Sequence, residues 1–478
     1  MTNSLLKFIP GVVMTMCLAA TAASAQTSSA LMASVVGASS TAAISVTATD
    51  YNQITDKALL FHNPSFGSSP QASATQQDAI TVALGYNFVT FYDQNSTLNL
   101  ARQPVTGGPW KVITFSGTTI PDQDNHRTPN VGISQNDGRI HLAYGIVLSP
   151  LRYRISSPNA ATVPDADFNA ALFSAERNYL SNPRDQITHM GYPIFVTRET
   201  NKSLLLFWRE FAIGSARFTY IAGYLDNGSW GAKAKIIDGA IGTYSGVSPA
   251  STRRSAYSND VITHGDDIQI TWTWRENAVG VVNHGLMFAQ STDGGLTWKN
   301  ASGTTVAAIP FVAMNLDSPV KAVDLDPSWS LINQNGSYVD GNGNTHVVLR
   351  HGAASGNTLQ RYWHYVRTGA TWTQTMLPFR GIGGRPKVFI DRETNTVYAV
   401  AINAGKVKVY AASKGTDDWG TWAEVFTSPA EHNYVGDVNG RIDPGNRVLR
   451  LVAQRAGACP GTTFSRLDLI SLELNPNG

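Results

Sequence analysis

Two residues capable of joint chemistry stand at neighbouring ends of one expected hairpin. Tyr192 opens the apolar run 191–196, and Arg209 closes a second run, 204–210. The polar stretch 197–203 between them has the composition of a turn, so the two runs are expected to pair. Antiparallel pairing sets the start of the first run beside the end of the second. A phenol and a guanidinium on one rim of a sheet suit chemistry on an acidic sugar: the planar fork grips a carboxylate, and the phenol moves a proton. An arginine that ends an apolar strand also needs an anionic partner if it is buried. Glu210 is adjacent, but neighbours on a strand point to opposite faces.

Further candidates lie on both sides. His126, preceded by Asn125, sits in a polar, proline-containing loop over 122–130, ahead of the run 131–134. A histidine on a loop held by rigid strands is well placed for function; the plainer alternative is a surface histidine. His141 alternates with Ile140 and Leu142, which reads as a buried histidine with a satisfied partner. Tyr257 precedes a strand ending Trp274-Arg275-Glu276, an echo of Trp208-Arg209-Glu210, so Arg275 is the corresponding position one or two repeats on. The plain alternative for Arg275 is a salt bridge between repeats. Tyr244 is a second aromatic candidate nearby. For all three tyrosines the plain alternative is packing. The oxygen-rich run 340–344 lacks the glutamate that closes an EF-hand loop and reads as a turn. There is no zinc-protease helix motif, no nucleophile elbow and no phosphate loop.

The elements that must position these groups are short strands. From Tyr51 onward, β-rich runs alternate with Gly, Asn, Asp and Pro clusters; 165–179 is the best helix candidate. One unit recurs as a turn followed by a buried strand, at 137–142, 266–272 and 342–348, with looser copies at 201–207 and 395–400. A second unit is a tryptophan entering a later strand: Trp110, Trp230, Trp298, Trp372 and Trp422, separated by 120, 68, 74 and 50 residues. These separations fit one repeat each, with one repeat inside the first gap lacking its tryptophan. Ser291-x-Asp293-x-Gly295-x-x-Trp298 is an Asp-box, a structural hairpin turn found in propellers. The fold class is therefore all-β, a single β-propeller of four-stranded antiparallel blades. Roughly 430 residues at about 60 per blade give about seven blades, longer than the usual ~40–50 residues. A pair of β-sandwiches or a β-helix fits the long spacing less well.

Residues 1–25 have the make-up of a secretory signal, with Lys7, the apolar run 8–20 and Ala23-Ser24-Ala25, and the run is too short to span a bilayer. Residues 26–50, rich in Ser, Ala and Thr, read as a leader or an added edge strand, and 51–478 as the propeller. A secreted or periplasmic protein without a membrane span is expected. Cys17 falls in the signal, leaving Cys459 alone, so no internal disulfide and no cysteine metal cluster is expected. The net charge of +2 falls to +1 without Lys7 and forms no basic stripe, which argues against nucleic acid as a partner. The 24 arginines against 12 lysines lean towards carboxylate recognition.

With these residues in place, the chain resembles the BNR-repeat propeller family that includes the seven-bladed ulvan lyases. The resemblance rests on Asn125-His126, 130–134, 137–144, 151–156, the Tyr192-Pro193 strand, Trp208-Arg209-Glu210, Tyr257 and the Asp-box, over roughly 77–372. It implies β-elimination at a 4-linked uronic acid of a rhamnose–uronate polysaccharide. Arg209 would neutralise the carboxylate, Tyr192 would transfer the proton with help from His126, and Asn125, Tyr244, Tyr257 and Arg275 would contact substrate. It implies no catalytic cofactor, leaves a structural metal ion open, and implies an acidic polysaccharide as partner of a monomer. Where those lyases carry a second active-site histidine, this chain reads Tyr144-Gly145-Ile146-Val147-Leu148. A rhamnosidase- or sialidase-like glycoside hydrolase and a non-catalytic glycan-binding propeller are the alternatives.

Overall fold

The computed structural model describes residues 43–60, 76–122, 124–211, 217–276, 282–380, 383–443, 447–457 and 463–476. The expected signal, the leader as far as residue 42, and both cysteines lie outside these residues. The described chain forms seven antiparallel sheets. Their inner strands are Ile80–Ala83, Asn130–Ile133, Met190–Thr197, Arg254–His264, Gly336–Val339, Lys387–Asp391 and Tyr434–Asp443, which open blades 1 to 7. Each inner strand neighbours the next, and that of blade 7 returns against that of blade 1. The expected seven-bladed propeller is thus realised, with four strands in most blades. Ser45–Leu59 supplies the outer strand of blade 7 by pairing with Phe464–Asn475, so hydrogen bonds between the two ends of the chain close the ring. Of the two readings of 26–50, the edge strand holds from Ser45 onward.

Alternation of side chains across each strand gives every blade two apolar faces, and each face needs a neighbour. Accordingly, seven apolar clusters each bridge two adjacent blades. The predicted tryptophans serve these clusters at the entrances to fourth strands. Trp298 and Trp372 lie within theirs (Thr297–Lys299, Thr371–Arg380). Trp110 and Trp422 immediately precede Lys111–Thr114 and Ala423–Thr427, and Trp230 lies just ahead of Ala234–Asp238. Blade 2 is the one without a tryptophan inside the first gap, and the outer strand of blade 7, Ser45–Leu59, has none either. The recurrent turn-and-strand units are second strands, as in Ile140–Ala143 and Thr345–Gly352.

The Asp-box works as its chemistry requires. Asp293 accepts the amides of Leu296 and Thr297 at 3.0 and 2.9 Å, while Trp298 is fully buried and donates to the carbonyl of Gly295 at 3.0 Å. Asp417 makes the same pattern with Gly420, Thr421 and the Thr421 hydroxyl. Blade 6 therefore carries a second such turn, whose Asp-x-x-x-Thr-Trp core was legible at 417–422 although its leading residues diverge. Trp298→Ala is expected to cost about 3–5 kcal/mol, the range for emptying a buried aromatic site; denaturant titration of the two proteins checks this.

The helix expected over 165–179 does not form. Its apolar residues Phe168 and Phe173 pack into the cluster between blades 1 and 2, but from an irregular strap containing one 3₁₀ turn, Ala170–Leu172. Residues 173–177 run beside Tyr153–Ile155, bridging Ser156 to Phe173 and Tyr153 to Arg177, and so take the outer place of blade 2. Backbone demand from an unpaired strand outweighed a helix-like spacing. The run 340–344 is a turn, with Asp340 accepting the amides of Asn342 and Asn344 at 2.9 and 2.8 Å.

Candidate functional site

The expected hairpin forms in blade 3. Met190–Thr197 pairs with Leu204–Phe211, with Gly191 opposite Arg209. The register slips between Gly191 and Ile194, so Tyr192 occupies a bulge, and its φ is 55°. A left-handed tyrosine before a proline costs on the order of 1–3 kcal/mol and persists only where the surroundings enforce it. Bulges of this kind re-aim a side chain, and here the ring turns over Arg209. Gly191 is required beside it, because a Cβ there would stand 2.9 Å from the ring of Phe211.

Arg209 is 5% exposed, with its guanidinium carbon 4.3 Å from the ring centre of Tyr192 and 4.1 Å from that of Tyr257. It donates to the carbonyl of Ala256 at 3.3 Å, and its Nε has no partner. Glu210 is not its counter-ion. Strand alternation sends Glu210 to the other face, where it accepts from Trp208 at 2.9 Å and Lys233 at 2.6 Å. Tyr257 enters from the inner strand of blade 4. Arg275, at the matching place on the second strand of that blade, donates to its hydroxyl at 3.0 Å. The echo between Trp208-Arg209-Glu210 and Trp274-Arg275-Glu276 is therefore a structural equivalence between adjacent blades.

His126 approaches from the loop ahead of blade 2, its ring edge-on to Tyr192 with centres 6.1 Å apart. Asp124 accepts from His126 Nδ1 at 2.5 Å, which directs Nε2 away from it. That hydrogen bond also holds the Asp124 carboxyl below the usual carboxylate range. Arg127 pins the loop by pairing with Asp122 and donating to the carbonyl of Gly145 at 2.9 Å. Val147–Ser149 then crosses from blade 2 and pairs with Met190 and Gly191, beside Tyr192. Asn125 is buried within the same loop.

Not every expected residue is gathered here. Tyr244 stacks on His284, with ring centres 3.7 Å apart, and His284 shares Glu276 with Arg254. These groups occupy the face of blade 4 opposite Arg275. His141 is fully buried with Nδ1 on the Tyr153 hydroxyl at 2.6 Å, the partner that was expected, while its Nε2 has none among the described residues. Two contributors were missed. Asp124 lay in plain view, two residues before His126. Arg217 pairs across from Phe211 and flanks its ring at 4.3 Å, with Arg209 on the same ring at 5.1 Å. Extending the hairpin register by one further strand would have found it.

The result is a small recess of about 30 Å³ lined by Tyr192, Arg209, Thr219, Tyr257, Asn259 and Gln334. Asp260, which also lines it, is tied to Lys387 at 2.8 Å. Burial, joined by the charge of Tyr257, pushes the Tyr192 phenol up despite Arg209 and Arg275. For Tyr257 burial acts upward too, but the two guanidiniums outweigh it and hold the phenol below the ordinary tyrosine range. The two cations thus act on both phenols but prevail over burial only at Tyr257. Among the described residues no group of three or more His, Cys, Asp or Glu side chains is arranged to hold a metal, and no helix is long and apolar enough to cross a membrane.

No curated protein matches the sequence. Among solved structures, that of the polysaccharide lyase Uly1 superimposes with a TM-score of 0.71 at 19% identity, over 89% of this chain and 99% of that one. A PL25 ulvan lyase bound to -[GlcA(1-4)Rha3S]- superimposes with a TM-score of 0.64 at 13% identity, over 89% and 98%. At these identities the likeness is one of fold. The profile of the BNR repeat-containing family matches residues 86–380, more than half of the sequence and close to the span of the resemblance read above. On that match, the chain belongs to the BNR repeat-containing family.

Proposed function

We propose that this protein is a polysaccharide lyase that cleaves a uronic-acid-containing polysaccharide by β-elimination. One observation carries the reading: a nearly buried guanidinium, Arg209, lies between two phenols in a small recess and pairs with no carboxylate among the described residues. The C5 proton of a uronate is too weakly acidic to leave unaided. A cation on the adjacent carboxylate stabilises the enolate-like charge that develops when it goes. Arginine suits this because its fork meets both carboxylate oxygens. A phenolate then accepts the proton, and a phenol returns one to the departing oxygen at C4. Tyr192 and His126 flank that position, and no cofactor is invoked. The similarity in fold to two polysaccharide lyases, one with a glucuronate–rhamnose 3-sulfate ligand, supports a substrate of that class.

Hydrolysis by paired carboxylates finds little support, since the nearby acids are engaged: Asp124 with His126, Asp260 with Lys387, Glu210 with Lys233. A sialidase-like reading draws on the cluster of Arg209, Arg217 and Arg275 around tyrosines. The products separate the two. Incubation with a panel of uronate polymers, followed by ultraviolet absorbance and product mass, is expected to reveal an unsaturated uronate. Reducing ends without unsaturation would transfer the assignment to hydrolysis, and binding without turnover to a glycan-binding propeller. Residues 1–25 are proposed as a cleaved export signal, checked by sequencing the amino terminus of the mature chain.

Asp124 positions the histidine. Asp124→Ala is expected to lower kcat about 10- to 100-fold, the usual cost of removing a partner that orients an active histidine. The pH–rate profile should shift with it, whereas a purely structural loss would leave the profile in place.

A further inference from the structure

Arg209 and Arg275 come from neighbouring blades and converge on one phenol. Neither makes an ion pair with a carboxylate among the described residues, and the acids beside them in sequence are spoken for: Glu210 by Lys233, Glu276 by Arg254 and His284. Arg209, withdrawn from water, therefore lacks a carboxylate counter-charge, and the half-buried Arg275 lacks one too. The Tyr257 oxygen is placed to supply it. It accepts from Arg275 at 3.0 Å, its ring lies 4.1 Å from the Arg209 carbon, and the residue is 8% exposed.

We propose that Tyr257 rests as a tyrosinate and is the catalytic base that removes the C5 proton, while Tyr192 stays a neutral phenol and protonates the leaving oxygen. The base role rests on the lyase reading; the resting ionisation does not. The other charged groups near the pair are Arg217, from the third strand of blade 3, Asp124 with its bound His126, from the loop ahead of blade 2, and Asp260, already paired with Lys387. Burial and the charge of Tyr257 push the Tyr192 phenol up, so a single negative charge on the pair falls on Tyr257 in this proposal.

The step balances. The Tyr257 oxygen takes the C5 proton, the C5–H electrons form the C4–C5 double bond, and the C4–O bond breaks. The leaving oxygen takes the Tyr192 proton. Transfer of the proton from Tyr257 to Tyr192, whose ring centres lie 5.9 Å apart, restores the starting state. The arrangement does without the second histidine that is absent from 144–148.

The test is a spectrophotometric pH titration of the full chain, read at the ultraviolet band of tyrosinate. One of the 17 tyrosines is expected to ionise well below the ordinary value near 10. That transition should vanish in Tyr257→Phe and persist in Tyr192→Phe. Arg275→Gln, which keeps the phenol, should move it upward by about one pH unit, the scale of a single charge-assisted contact. On a polymer that is cleaved, Tyr257→Phe should lose about 10²-fold or more in kcat. A low transition that survives Tyr257→Phe, that disappears in Tyr192→Phe, or that ignores Arg275→Gln overturns the proposal. A titration as expected with no uronate polymer cleaved overturns the base role through the lyase reading, and the intact transition identifies that as the point of failure.

Discussion

Arg209→Ala is expected to lower kcat/KM on a cleaved uronate polymer by about 10³-fold or more. Loss of one preorganised donor to a developing oxyanion already costs about 10²–10³, and here a full positive charge goes with it. Arg209→Lys should recover little. An ammonium cannot meet both carboxylate oxygens, and it gives up the planar contact with two rings. Initial rates on the purified variants, with thermal melts run alongside, separate chemistry from folding. The variants should melt close to the wild type, because the guanidinium contributes cation–π contacts of about 0.5–2 kcal/mol to a core held by seven interblade clusters. Retention of more than about a tenth of the activity in Arg209→Ala would remove the carboxylate-binding role.

Tyr192→Phe is expected to reduce kcat by about 10²–10⁴-fold with KM nearly unchanged, the signature of losing a positioned proton donor. The ring remains, so its stacking on Arg209 and its hold on the bulge remain too. Adding a uronate with a good leaving group at C4 should restore the variant selectively, since such a group departs without a proton. A variant that loses substrate binding instead of turnover would make Tyr192 a packing residue.

Much of the architecture was legible along the chain. Turn residues ahead of alternating apolar runs marked the second strands, and the tryptophans marked the entrances to fourth strands. The 120-residue gap between the first two even located blade 2 as a blade without a tryptophan, whereas blade 7, also without one, left no such gap. That the ends carrying Tyr192 and Arg209 lie side by side followed from turn placement alone, although the exact register, Gly191 opposite Arg209, did not. Such features depend on residues a few positions apart, and neighbours in sequence settle them. The mistaken helix at 165–179 shows the limit: its apolar spacing was compatible with two conformations, and the free edge of a strand 20 residues upstream chose between them.

Local sequence was enough for the repeat, the number of blades and the hairpin that carries Tyr192 and Arg209, because period-two burial and turn chemistry are written locally. The surroundings of that pair, and the closure of the ring through the two chain ends, came from the fold. It brought Tyr257 and Arg275 across a blade boundary, left Arg209 without Glu210, turned Tyr192 through a bulge at φ 55° and placed Asp124 behind His126. It also decided which phenol the cations favour in its charged form. Ionisation answers to the sum of charges and burial from several strands at once, and no stretch of sequence contains that sum.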